Sequence, residues 1–509
     1  MSDVPTGWTT VRVGDACHLI NGRAFKPTDW TSDGLPIVRI QNLNSTQAKF
    51  NLFNGHVEHK HLIDSGELLF AWSGTPGTSF GAHIWDRGKA VLNQHIFRVL
   101  FDEREFDKRF LRHAINDRLE HLIGVAHGGA GLAHVTKPVF EATEILKPPL
   151  AEQRRIVSKI ESLTARSRRA KEALDAVPDL LEQFRQSVLA AAFRGDLTAA
   201  WREKNPDVEP AEVLLQRIRA ERRRRWEEAE LAKMRTKGKM PGDDRWKAKY
   251  EEPEPVDASE LPELPEGWAW ASVGEVVESL KNGIATKPDQ DGGLAILRIS
   301  AVRPMRVNTS DVRYLAPSDE FGEYELVPGD VLFTRYNGNE ELVGVAGMVR
   351  DVASALVYPD KLIRARVLRS VIAPEFFEAA TNAFATKAFI ETKRKSAAGQ
   401  VGISGSDLRI APIPVAPLAE QLVMARAITR MIALADAIER NVEDVESQRT
   451  ALDRAILSKA FRGELVPQDP TDEPASLLLD RLRAEATDPT GKKPKRGKRH
   501  AAAAAGTSD

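Results

Sequence analysis

The stretch Pro149-Leu150-Ala151-Glu152-Gln153 returns 268 positions later as Pro417-Leu418-Ala419-Glu420-Gln421, and Ala192-Phe193-Arg194-Gly195 returns at the same offset as Ala460-Phe461-Arg462-Gly463. The chain was built twice. Equal offsets at both ends mean that the intervening segment, about 46 residues, kept its length while the rest diverged, as expected of a helix whose length matters. Looser echoes surround it: Gly7-Trp8 with Gly267-Trp268, Asn21-Gly22 with Asn282-Gly283, and Gly66-Glu67-Leu68-Leu69-Phe70 with Gly329-Asp330-Val331-Leu332-Phe333. A two-copy chain suits a two-part ligand.

Between the echoes, short apolar runs separated by Gly, Asn and Asp predict strands at Leu35–Ile40, Glu67–Phe70 and Asn93–Val99, then a helix over Asp107–Ile123. The second copy predicts strands at Ala295–Ile299, Asp330–Phe333 and Leu362–Leu368, with a helix near Pro374–Lys393. Each repeated helix starts after a proline and ends at a glycine preceded by arginine, the order that helix termini favour. Ile156, Ile160, Leu163, Ser167, Ala170, Leu174, Val177, Leu181, Phe184 and Val188 alternate spacings of four and three, a heptad seam. Met424, Ile428, Met431, Ala435, Ile438, Val442, Val445, Arg449, Leu452 and Ile456 form its counterpart. Pro178 should kink the first helix, whereas Glu446 holds the equivalent place in the second.

The expected fold class is therefore mixed α/β, an internal two-fold repeat in which two globular domains alternate with two long helices that pair as an antiparallel coiled coil. The expected boundaries are 1–148 for the first domain, 149–266 for the first helical spacer plus linker and 267–416 for the second domain. The second spacer is expected over 417–490 and a disordered basic tail over 491–509. Arg222-Arg223-Arg224-Arg225 reads as the solvated face of a helix, with a nucleic-acid role as its alternative, and the Pro- and Glu-rich stretch 251–265 reads as a linker; for the whole segment 222–265 a docking surface and a plain linker are both open.

At 509 residues with 42% hydrophobic content the chain can bury several cores. A net charge of -1 means that any nucleic-acid face must come from local clustering. One cysteine, Cys17, leaves no internal disulfide, and neither a signal-like N-terminus nor a long apolar run is present, so a soluble cytoplasmic protein is expected. No phosphate-binding G-x-x-x-x-G-K-[ST] occurs, and the Pro148-Pro149 pair lacks the flanks of the motif carried by adenine methyltransferases that act on the exocyclic nitrogen, so ATP-driven work and methylation are not expected of this chain alone. Asp360 with Glu391 and Lys393 forms a loose nuclease-like pattern, the basis of the alternative that the chain is a magnesium-dependent two-domain enzyme. His56, His59 and His61 have spacing that zinc could use but lack a fourth ligand, and a solvated loop is the plainer reading. Gly128-Gly129-Ala130-Gly131 reads as a loop, with DNA-backbone contact as its functional alternative.

The loops after the repeated Gly-acidic-x-Leu-Phe strand are more pointed: Ala71-Trp72-Ser73-Gly74-Thr75 in one copy, Thr334-Arg335-Tyr336-Asn337-Gly338 in the other. Arg and Asn can make bidentate contacts with base edges, Ser and Thr can bond either groove or phosphate, and glycines allow close backbone approach. The candidate DNA-binding set is Arg39, Gln41, Asn42, Trp72, Ser73, Gly74 and Thr75 in the first copy, and Arg298, Arg335, Tyr336, Asn337, Gly338 and Gln400 in the second.

With these motifs in order and in duplicate, the chain resembles the specificity subunits of Type I restriction-modification enzymes over nearly its whole length. The resemblance implies that the two domains are target recognition domains and that the helices are spacers which also dock methyltransferase subunits. It implies double-stranded DNA, two methyltransferase subunits and added restriction subunits as partners. No cofactor is expected on this chain; S-adenosylmethionine, ATP and magnesium are implied for the partner subunits. A first helix of about 27 residues before Pro178 would span roughly 40 Å at about 1.5 Å per residue, close to one turn of DNA at about 34–36 Å.

Overall fold

A computed structural model of the protein describes residues 4–487 apart from 46, 75–77, 125–132, 237, 239–240, 251, 253–255, 289–290 and 398–399. Thr75, the Gly128–Gly131 run and the expected tail lie outside the described residues. The chain forms two compact units, Met1–Leu174 with Asp444–Asp509, and Asp175–Glu443. Both unit boundaries fall inside the repeated helices, so each unit combines one globular domain with the start of one spacer and the end of the other.

Each unit holds a four-stranded antiparallel sheet with the same strand order. In the first unit it runs Cys17–Asn21, Ile96–Phe101, Leu68–Ala71, Gly81–Ile84, and in the second Val277–Asn282, Leu362–Val367, Val331–Thr334, Ala346–Met348. The predicted strands are these elements and their neighbours, displaced by one to three residues. A second sheet contains a parallel pair, Leu35–Val38 with Ala90–Leu92 in the first unit and Leu294–Leu297 with Leu356–Val357 in the second. A two-stranded ribbon closes each domain, pairing Thr9–Arg12 with Glu144–Lys147 and Ala269–Ser272 with Pro412–Val415. The expected domain helices are both broken, into Lys108–Asp117 and Leu119–Gly124, and into Pro374–Thr381 and Phe384–Lys393.

The repeated Gly-acidic motif is a sheet-building device. Glu67 accepts from the Asp64 backbone and pairs with Arg98 of the adjacent strand, while Asp330 accepts from the Val327 backbone and pairs with Arg366. In both copies a carboxylate closes the turn and ties it to the neighbouring strand.

The repeated helix signature is equally structural. Trp8 Nε1 donates to Glu152 Oε2 at 3.0 Å in the first unit, and Trp268 Nε1 donates to Glu420 Oε2 at 3.0 Å in the second. Gln153 receives the Asp107 N–H and donates to the carbonyls of Glu105 and Pro148. Gln421 repeats the pattern with Ala373 N–H and the carbonyls of Val371 and Ala416. Buried polar groups need partners, so Gly-Trp and Pro-Leu-Ala-Glu-Gln form one joint that fastens a spacer to its domain.

The other spacer's end completes the core. Ile456, Ala460 and Phe461 pack with Trp8, Phe110 and Ile156 in the first unit; Val188, Leu189 and Ala192 pack with Trp268, Phe376 and Met424 in the second. The start of one helix thus lies with the end of the other in each unit, an antiparallel arrangement. Gly195 and Gly463 follow the helix ends with φ of +83° and +72°, a left-handed conformation that glycine adopts without strain.

The first helix is interrupted, as Pro178 predicts: Leu150–Asp175 gives way at Ala176 to Val177–Phe193. Leu418–Phe461 runs unbroken. The heptad seam is buried near the domains but differs from expectation away from them. Ala170, Phe184, Ile438, Val445 and Leu452 are exposed, and Ile432, off the predicted line, is buried. Beside a domain a helix is covered on more than its seam, so the buried face broadens there. Arg449 on the seam donates to Ser167 Oγ and is held by Glu446 and Asp453, a polar layer at the one seam position carrying arginine.

Residues 222–250 are more than a linker. The helix Ala211–Thr236 carries Arg222, whose guanidinium donates to the carbonyls of Gly274 and Val277, and Arg219, which pairs with the buried Glu275. The chain then folds back so that Trp226 stacks on Trp246, 6.0 Å between ring centroids, with Tyr250 beside it. Arg223, Arg224 and Arg225 pair with Glu227, Glu252 and Glu221. Arg224 and Arg225 are thus paired on their own helix, while Arg222 anchors the segment to the second domain.

Candidate nucleic-acid interface

The loop leaving each Leu-Phe strand is held beside the residue that opens the central strand. In the first unit Trp72 N–H donates to the His95 carbonyl at 3.3 Å, and in the second Arg335 N–H donates to the Lys361 carbonyl at 2.8 Å. A short return strand completes each site. Ser73–Gly74 pairs with Ala133–His134, and Tyr336–Asn337 pairs with Gln400–Gly402, which itself pairs with Lys395–Ala397. Three segments distant in sequence therefore converge at one topological place in both domains.

Their chemistry differs. In the first unit Trp72 donates from Nε1 to Asn21 Oδ1 and the Gln94 carbonyl, and its ring lies 5.2 Å from His95, 5.9 Å from Phe97 and 6.3 Å from His134. Burial, then the charges of His134 and Arg39, hold the His95 imidazole below its usual pKa, so it is neutral near pH 7. Arg39 itself lies over the Trp30 ring and donates to Asn51 Oδ1.

In the second unit the Tyr336 ring has Arg335 on it at 4.8 Å and Lys361 at 4.9 Å. Gly402 passes beneath, where a Cβ would lie 2.2 Å from the tyrosine ring, so any larger residue would displace it. Arg335 Nη1 donates to the Asp360 carbonyl at 3.2 Å and Lys361 Nζ to Gln400 Oε1 at 3.4 Å. Asn337 Oδ1 accepts the Asn339 N–H, and Gly338 is exposed with open space around it.

The structure thus gathers Arg335, Tyr336, Asn337, Gly338 and Gln400 into one site, and Trp72, Ser73 and Gly74 into its counterpart. Lys361, His95 and His134 join these sites without having been singled out in sequence; the matching position of 95 and 361 just before the repeated central strand was the available signal. Gln41 is exposed and Arg298 is exposed beside Asp311. Asn42 is different. It is fully buried, accepts the Arg39 N–H, and donates to the carbonyls of Ala48 and Lys49. Its amide is spent on shaping the turn that carries Arg39 and Gln41, with no atom at the surface to read a base.

Among the described residues no group of three or more His, Cys, Asp or Glu side chains is arranged to hold a metal ion. Asp360 uses its carbonyl to hold Arg335, whereas Glu391 pairs with Arg394 at the end of the helix Phe384–Lys393 and Lys393 lies over Phe389. Also among the described residues, no helix is long and apolar enough to cross a membrane. Cys17 is buried, and burial pushes its thiol up to about 12, which leaves it an inert core residue.

With a duplicated platform of unlike side chains, each borne on a spacer joint built from the same five residues, the chain is similar to the specificity subunits of Type I restriction-modification enzymes. Residues 5–176 match the family described as the Type I restriction modification DNA specificity domain. The chain is 29% identical to the EcoKI specificity subunit of Escherichia coli (strain K12), covering 97% of this chain and 99% of that protein. It is 24% identical to the StySPI specificity subunit of Salmonella potsdam, again covering 97% and 99%. The fold is also that of a chain solved in work on complex assembly and conformational transition of the type I R-M system (TM-score 0.61, 22% identity, 91% of this chain and 100% of that one). The HsdS subunit from Thermoanaerobacter tengcongensis aligns with a TM-score of 0.50 at 22% identity, covering 91% and 98%.

Proposed function

We propose that this chain is the non-catalytic DNA-recognition subunit of a cytoplasmic Type I restriction-modification complex, reading a bipartite, asymmetric site with one platform for each half. The observation that carries this reading is the pair of platforms, alike in backbone and unlike in side chains. Arg39, Gln41, Trp72, Ser73, Gly74 and Thr75 serve one half-site; Arg298, Arg335, Tyr336, Asn337, Gly338 and Gln400 serve the other. The domain boundaries at 148, 266 and 416 follow from the same reading, as do the basic tail and a spacer that sets the distance between half-sites.

The spacers dock two methyltransferase subunits, to which restriction subunits add for cleavage. The chain binds no cofactor of its own; S-adenosylmethionine, ATP and magnesium act on the partner subunits. A near-neutral chain fits this division of labour, because partners supply phosphate neutralisation while this subunit supplies base contacts.

Purified chain alone, then chain with its methyltransferase partner, is assayed for S-adenosylmethionine turnover on genomic DNA, and the modified bases are mapped. The expected result is no turnover alone and a single interrupted motif with the partner. Turnover by the single chain, or a continuous motif, would overturn the reading.

A further inference from the structure

Lys361 is the cation of the second platform whose donors are largely uncommitted among the described residues. It is half-buried, its ammonium lies over the Tyr336 ring, and among the described residues its one hydrogen bond to a side chain is the long one to the exposed Gln400. An ammonium carries three donors, so this arrangement leaves capacity directed at whatever meets the Tyr336–Gln400 surface. Around it the site is rigid. Arg335 is pinned through its backbone to the Lys361 carbonyl and through Nη1 to the Asp360 carbonyl, and Gly402 fixes the tyrosine from below. Two cations on one ring, with an amide beside them, make a donor-rich patch.

We infer that Lys361 is a specificity-determining residue of the second domain, donating beside Arg335 to the acceptors of a purine edge in one half-site. Guanine, with N7 and O6 both accepting in the major groove, is the base that this chemistry fits. The inference rests on the proposed DNA-recognition function and names a residue within it. Its counterpart in the first domain supports the assignment by contrast: His95 has one ring nitrogen against the Gln94 amide and the other buried without a partner, so that position packs on Trp72 and offers no free cation.

The test uses the complete complex with its methyltransferase partner and duplexes in which each base of the mapped motif is changed in turn. Lys361→Ala is expected to reduce discrimination at one or two positions of a single half-site about five- to a hundredfold, leaving the other half-site unchanged. Lys361→Met keeps the side chain's length over Tyr336 without its charge and should give the same loss, so a packing defect in the alanine variant would be recognised. Unchanged discrimination in both variants would overturn the inference. So would uniform weakening on specific and unrelated DNA with a shallower salt dependence, which marks a phosphate contact. Arg335→Ala in the same series separates the levels. If it loses discrimination while the Lys361 variants keep it, only this inference falls; if wild-type complex shows no bipartite preference, the functional reading itself falls.

Discussion

At one topological place the first domain carries Trp72, His95 and His134, and the second carries Arg335, Tyr336 and Lys361. One platform is built of indole and imidazole rings, the other sets two cations on a tyrosine, on backbones tied by the same hydrogen bond. The lesson is that the repeat preserves the backbone frame of the platform and leaves its side chains free to diverge. The scaffold diverges in kind too. All eleven histidines of the chain fall in the segments that make up unit one, and none occurs in residues 175–443.

The largest test of this separation exchanges residues 1–148 for the equivalent domain of a relative. One half of the methylated motif should change completely and the other should stay, as read by mapping modified bases; change in both halves would break the comparison. Next in size are the joints. Glu420 takes Trp268, Thr198 and Arg202, while Glu152 takes Trp8 on one oxygen and leaves the other buried without a partner. Glu420→Ala, which strands Arg202, should cost about 3–5 kcal/mol. Glu152→Ala should cost less, and denaturant melts of the two variants would rank them.

Acid should then separate the units. Burial, reinforced by the Arg112 charge, holds His113 down at about 4, and burial also lowers His83. A depressed histidine contributes stability that is present above its unfolded value near 6.5 and lost as pH falls toward 4. For His113 alone the loss approaches about 3 kcal/mol. In unit two, burial raises Glu378 against the pull of Arg350, so acidification relieves rather than adds a penalty there. Hydrogen exchange at pH 7 and 4.5 should show Phe110–Ile115 losing protection before Phe376–Ala380; the reverse order would refute the assignment. Smallest is Arg335→Ala, expected to weaken specific binding by about 1–3 kcal/mol at one half-site with partner assembly unaffected, measured by titration against mutated half-sites.

Much of this frame was legible in sequence because it rests on local signals: proline before the helix, glycine after it, and an acidic turn before each Leu-Phe strand. The loop Arg335–Gly338 was legible for the same reason, lying directly after a recognisable strand. Lys361 and His95 were not, since they join their sites through turns far along the chain. Asn42 resembled a reader because its type suits adenine, but burial diverts its amide to Ala48 and Lys49. The clasp of Trp226, Trp246 and Tyr250 was hidden by its charged surroundings, and the arginine run before it owes its role to the carbonyls of Gly274 and Val277, which no spacing rule connects to it.

Unit two is a continuous stretch of chain, residues 175–443, while unit one is closed by Asp444 onward. On the ribosome the second domain can therefore mature first, while the earlier-made domain waits for Ile456, Ala460 and Phe461 to complete its core. Until residues 456–461 emerge, Trp8, Phe110 and Ile156 present an open apolar seat, the kind of surface that chaperones hold and that aggregates when left bare. A chain cut short after residue 443 would leave that seat open for good, so loss of residues from 444 onward should be felt most around Trp8 and Phe110, hundreds of positions away in sequence.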